Sequence, residues 1–288
     1  GSYANNYSTA TGNGSSANNY SNATGANSTA DNASVATGNY STATGNYSVA
    51  AGNGSSATGN YSAAVGAYAN ASGTYATAIG AYSFANAYST AVGGYSLAVT
   101  NSTATGYYST AAFDSTATGN NSTALFDSTA NGSGAQAFYS STATGSGSYA
   151  YSASSAVGNN SFALYSSNAV GYSSTAALGS NAIGNYSTAV FGSNAVGNYS
   201  SATGTYSVAM GNGSTADSAY STAVGAYSSA TNTSATALGA YSVASGVNST
   251  ASGANAQATF DGATATGANS LAGNTNTTAN GVGAQATG

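Results

Sequence analysis

From Ala4 to Ala286 an alanine returns every six or seven residues without a miss, 43 times in a chain of 288. Two residues before each alanine stands Ser, or Ala or Thr in its place, and two residues after it most often Gly. The unit is therefore Ser-x-Ala-x-Gly with a link of one or two residues. Periodicity this complete decides the fold before local propensity enters, because every copy must do the same structural job.

Positions i, i+2 and i+4 share one face of a strand, whereas a helix would scatter them around its axis. The intervening positions carry Thr, Val, Tyr, Phe, Ile and Leu, which suit pleated surfaces, and Asn-Tyr, Asn-Gly and Gly-Asn pairs mark the turns. A strand of five tiny side chains does not stand alone. Stacking resolves this: two units make one coil, and each coil pairs in parallel with the next. The expected fold is an all-β, parallel β-solenoid or β-roll of about 21 coils, with 13–14 residues and two short strands per coil. The Ser-Ala-Gly face points inward, with Ala43, Ala50, Ala104, Ala117, Ala182, Ala195, Ala223 and Ala237 among the inward methyls. A single solenoid is expected over 1–288, with 13-residue coils over 4–36 and 85–195 and 14-residue coils over 36–85 and 195–286.

Outward positions supply the candidate contacts. In the long 13-residue region one strand keeps its glycine, while the other replaces it with Phe113, Phe126, Tyr139, Tyr165, Leu178 and Phe191, interrupted by Thr100 and Ser152. A tyrosine ladder is expected through Tyr40, Tyr47, Tyr61, Tyr68, Tyr75, Tyr82, Tyr88 and Tyr95. Side-chain stacking that stiffens the solenoid accounts for such ladders; lateral contact with another chain is the sharper reading. For that contact the candidates are Val92, Phe113, Phe126, Val170, Ile183, Phe191, Val196, Val224 and Leu238, together with Val157 and Val190.

Composition prunes function. Lys, Arg, His, Cys and Glu are absent, and the only acids are Asp31, Asp114, Asp127, Asp217 and Asp261. Without cations nothing neutralises phosphate, so no nucleic acid is expected as a partner, and no basic patch meets anionic lipid. No run of 18 apolar residues is present, so no direct membrane insertion is expected. Serine is plentiful, but no base is present to activate it. The expectation is no enzyme, no catalytic residue, no cofactor and no metal; Asp114 and Asp127, 13 residues apart and so stacked on adjacent coils, read as turn residues, with a weak Ca²⁺ site as the alternative.

The run Ser207-Val208-Ala209-Met210-Gly211, within the repeats from Gly204 to Ala258, resembles the head repeats of YadA-like trimeric autotransporter adhesins. That resemblance implies a left-handed parallel β-roll, three chains side by side, and display on a bacterial surface to bind a host or abiotic surface. The near-absence of charge and the 13-residue coils depart from the family's usual 14-residue pattern. The sequence also contains no neck motif, heptad stalk or membrane anchor. The functional expectation is a non-catalytic extracellular structural or adhesive solenoid, the head or shaft of a cell-surface adhesin fibre that self-associates as a homotrimer. An alternative is the subunit of a self-assembling extracellular filament joined end to end, since neither terminal repeat carries a polar cap. Outward Thr pairs such as Thr103/Thr105 and Thr116/Thr118 resemble those of ice-binding solenoids, a further alternative.

Overall fold

The computed structural model describes residues 1–288 and contains 43 strands of two or three residues and no helix. Two compact units divide it, Gly1–Gly147 and Ser148–Gly288. The first runs from β1 (Tyr3–Ala4) to β22 (Thr142–Thr144), the second from β23 (Tyr149–Tyr151) to β43 (Gln285–Ala286). Within each unit the odd-numbered strands pair only with odd ones and the even with even, always in parallel, which makes each unit a β-solenoid with two strands per coil.

The register counts the coil. Tyr3 pairs with Ser16 and Ser16 with Thr29, steps of 13, whereas Thr42 pairs with Ser56 and Ser56 with Asn70, steps of 14. In the second unit Thr175 pairs with Thr188 at 13 and Ser201 with Thr215 at 14. The step from odd to even strand makes the difference. Apart from the turn at Tyr88, a 13-residue coil turns there through two successive left-handed residues, as at Phe113 (φ 58°) and Asp114 (φ 58°). A 14-residue coil inserts a glycine such as Gly59 and keeps one left-handed residue, Tyr61 (φ 56°).

The core is a column of methyl groups. All eight alanines named above are fully buried, and alanine against alanine is the rung in every pairing, for example Ala104 against Ala117 and Ala182 against Ala195. Methyls bury little apolar area apiece, so the backbone ladder carries much of the stability.

The inward serines do more than fit. Before an odd strand, the serine hydroxyl donates to the carbonyl of the glycine three residues back, as Ser109 Oγ does to Gly106 O (2.9 Å). Before an even strand in 13-residue coils, it bridges coils: Ser115 Oγ donates to Phe113 O (3.1 Å) and accepts the N–H of Ser128 (3.2 Å). That acceptor repeats from Ser102 to Ser115 and from Ser128 to Ser141. A buried N–H left orphaned by a tight turn thus finds a partner. Side-chain size alone, the basis of the inward assignment, did not reveal this.

Candidate interaction surface

The two turns of each coil form two edges. At the even-to-odd edge every coil has a glycine at positive φ, as Gly119 (φ 129°), where a Cβ would stand 2.5 Å from the carbonyl oxygen of Gly132 one coil on. This conformation is open essentially to glycine alone. Two residues later comes a left-handed position filled by Tyr68, Tyr82, Tyr95 and Tyr108 in successive coils. Their rings stack at centroid separations of 5.1, 5.0 and 4.8 Å.

The odd-to-even edge carries its own tyrosine row, with Tyr47–Tyr61 at 5.5 Å, Tyr61–Tyr75 at 5.2 Å and Tyr75–Tyr88 at 5.7 Å. The single ladder expected from Tyr40 to Tyr95 is therefore two. Tyrosines spaced by seven alternate between edges; only those a full coil apart, 13 or 14 residues, can stack. The odd-to-even edge also holds the Phe row one residue earlier in the turn, Phe113–Phe126 and Phe126–Tyr139, each at 5.0 Å and 4° between planes.

The candidate contact residues fall in two places. Phe113, Phe126 and Phe191 lie in odd-to-even turns and are exposed. Val92, Val170, Ile183, Val196, Val224 and Leu238 all occupy the third position of even strands, facing outward. In the second unit the register joins five of them, with Val157 and Met210, into one row over seven coils: Val157, Val170, Ile183, Val196, Met210, Val224, Leu238. In the first unit Val92 continues a shorter row from Val65 and Ile79.

Val190 sits apart, on an odd strand. There the register aligns two apolar rows of which the candidate set held only Val190: Val99, Ala112, Leu125 and Phe138 in the first unit, and Tyr151, Leu164, Ala177 and Val190 in the second. All but the buried Ala112 are half-buried. The signal that could have located them is the six-residue alanine step. Over β15 (Leu97–Val99) to β29 (Thr188–Val190) that step goes with an odd strand of three residues, so its last side chain joins the sheet face, whereas β1, β3 (Ser16–Ala17), β5 (Thr29–Ala30) and β13 (Phe84–Ala85) keep two residues before the same step.

Polar side chains form rows of their own beside these. Thr103, Thr116, Thr129 and Thr142 align on the even sheet of the first unit. In the second unit Asn168, Asn181 and Asn194 form an amide ladder, each Nδ2 donating to the next Oδ1 at 2.8 and 2.9 Å. Thr42 and Thr44, by contrast, belong to the odd-strand side, so the Thr-Ala-Thr motifs do not share one surface. The aspartates act locally. Asp31 Oδ1 accepts from the side chain of Asn19 and the N–H of Asn32, both at 2.9 Å, and Asp261 Oδ1 accepts the N–H of Val247 at 2.8 Å. Where Tyr107 meets Tyr108 edge to face at 4.4 Å, the Tyr107 pKa is raised through hydrogen bonding with Tyr108 and, next, through burial.

These surfaces offer stacking, apolar contact and hydroxyl or amide hydrogen bonds, with no cation anywhere. The YadA head domain repeat model matches residues 32–55, 57–83, 113–125, 191–214, 202–228, 216–242 and 244–270. Among solved structures the chain is similar to the collagen-binding domain of the Yersinia adhesin YadA, with 24% identity, 58% of this chain and 66% of that chain covered, and a TM-score of 0.26. No curated protein matches the sequence.

Proposed function

The chain is built from YadA-like head repeats, and on that premise we propose that it is a non-catalytic segment of a cell-surface adhesin, displayed outside the cell and assembled from parallel copies as a homotrimer. The observation that carries this reading is the seven-coil apolar row from Val157 to Leu238. A contiguous apolar strip of this length, exposed on one sheet face, supports an association site there. The contact residues proposed for it are Val170, Ile183, Val196, Val224 and Leu238, with Val92 in the first unit and with Phe113, Phe126 and Phe191 along the turn edge.

Sedimentation equilibrium tests the assembly. A concentration-independent trimer is expected, and Ile183→Asn with Val196→Asn should shift it towards monomer without altering the far-ultraviolet spectrum. A monomer at all concentrations would remove the trimer, and fibres of unlimited length would favour end-to-end assembly. Adhesion is tested with protein-coated beads on collagen, bare polymer and albumin-passivated surfaces, where binding no greater than to albumin would remove the adhesive role.

A further inference from the structure

The tyrosine row on the odd-to-even edge of the first unit has one missing rung. Its turn position is filled in successive coils by Tyr7, Tyr20, Ala33, Tyr47, Tyr61, Tyr75 and Tyr88, and the backbone ladder there runs evenly through all seven. Tyr20 N–H donates to Asn6 O (2.9 Å), Ala33 N–H to Asn19 O (2.8 Å) and Tyr47 N–H to Asn32 O (3.0 Å). Ala33 shares the left-handed conformation (φ 59°) of its neighbours Tyr20 (φ 63°) and Tyr47 (φ 56°). Only the ring is missing.

The gap is open. A cleft of about 320 Å³ is lined by Tyr20 and Tyr47 as walls, Ala33 as floor, and Asn19, Asn32 and Asn46 along its rim. Tyr20 is stacked on Tyr7 and Tyr47 on Tyr61, so each keeps one face free. Their exposures, 68% and 63%, exceed the 53% and 55% of Tyr61 and Tyr75, which are covered on both sides. Two coil spacings separate the walls, about 9.6 Å. A flat ring at the midpoint would lie about 4.8 Å from each wall, close to the 5.2 and 5.5 Å of the filled rungs. One planar ring fits this width with a face against each wall, a contact that a puckered ring cannot make on either side.

We propose that the cleft over Ala33 binds a single planar aromatic ring, intercalated between Tyr20 and Tyr47 as the missing rung of the row. Stacking between aromatic faces supplies the attraction; the Asn19 amide is tied to Asn6 and Asp31, which leaves the exposed Asn46 amide on the rim to select a ring bearing a hydroxyl or other neutral polar group. Asp31, which holds the Asn19 and Asn32 groups of the rim, places negative charge beside the cleft and disfavours anions.

The test uses the full chain and three probes of similar size: p-cresol, which is the missing tyrosine side chain itself, puckered 4-methylcyclohexanol, and anionic 4-hydroxybenzoate. Ligand-observed saturation-transfer NMR should show saturable p-cresol binding and at least tenfold weaker signals from the other two. Ala33→Tyr fills the gap and Tyr47→Asn removes a wall; both residue types already occupy this conformation elsewhere in the chain, so both variants keep the wild-type circular dichroism. Each should lower the p-cresol signal at least tenfold. Equal binding by wild type and Ala33→Tyr, or no p-cresol binding by wild type, overturns the proposal. If p-cresol is silent while Ala33→Tyr dissociates an oligomer, the occupant is a ring from a second copy and the small-molecule site is refuted.

Discussion

At the scale of single residues, the repeat is a set of local solutions to backbone problems. Gly119 and Gly134 look alike in the sequence but differ in what they permit. A Cβ at Gly119 meets the backbone of the next coil, whereas at Gly134 (φ 67°) the nearest atom is 3.9 Å away. Gly119→Ala should therefore destabilise by at least about 1–3 kcal/mol. Gly134→Asn, placing the residue that Asn121 already shows at that turn position, should stay within about 0.5 kcal/mol of wild type by thermal unfolding. The serines separate the same way. Ser115→Ala orphans the Ser128 N–H and should cost about 1–3 kcal/mol. The buried Ser207 hydroxyl has no partner, and Ala235 and Ala263 stand at its position in later coils, so Ser207→Ala should leave stability unchanged or raise it by about 1 kcal/mol. Tyr107 adds a pH signature. With its pKa raised in the fold, its contribution is fully present below the ordinary tyrosine pKa and is lost as pH rises through the folded value. Spectrophotometric titration should show late-ionising phenols at Tyr107 and Tyr186, of which Tyr107→Phe removes one.

At the scale of strands and turns, the alanine ladder made the solenoid, the parallel pairing and the coil lengths legible, because a period of 13 or 14 is a register once strands stack. The edges were less legible. A six-or-seven step counts half-coils, so Tyr61 and Tyr68 read as neighbours although they lie on opposite edges, and only the pairing of Tyr61 with Tyr75 shows which rings meet. The apolar rows were half legible for the same reason. Val170 and Ile183 announce themselves by their spacing of 13, whereas Leu125 and Phe138 are exposed to the sheet face only because the shorter turn extends their strand. Serine chemistry was hidden altogether, since the bond from Ser128 to Ser115 depends on two consecutive left-handed residues that no composition rule requires of Phe113 and Asp114. Inserting one glycine between Phe113 and Asp114 would convert that turn to the 14-residue form, and the fold should accept it at the cost of one serine bridge. Ala117→Leu, which no turn can absorb, should unfold its coils locally or cost about 1–3 kcal/mol or more, read as lost hydrogen-exchange protection from Thr103 to Thr129.

At the scale of the whole molecule, the chain carries five aspartates and no lysine or arginine, a net charge of −5. No ion pair between side chains is available to hold copies together, so association through the apolar rows should be unchanged or strengthened as salt rises, the reverse of a charge-driven interface. A trimer that dissociates in high salt would contradict this. Everything rests on the alanines facing in and their neighbours facing out. The chain has no cysteine of its own, so single cysteines at 115, 116, 117 and 118, probed with a thiol-reactive maleimide on the folded protein, test that alternation directly. Ser115→Cys and Ala117→Cys should be protected and Thr116→Cys and Thr118→Cys labelled rapidly. Labelling of Ala117→Cys as fast as its neighbours would contradict the fold.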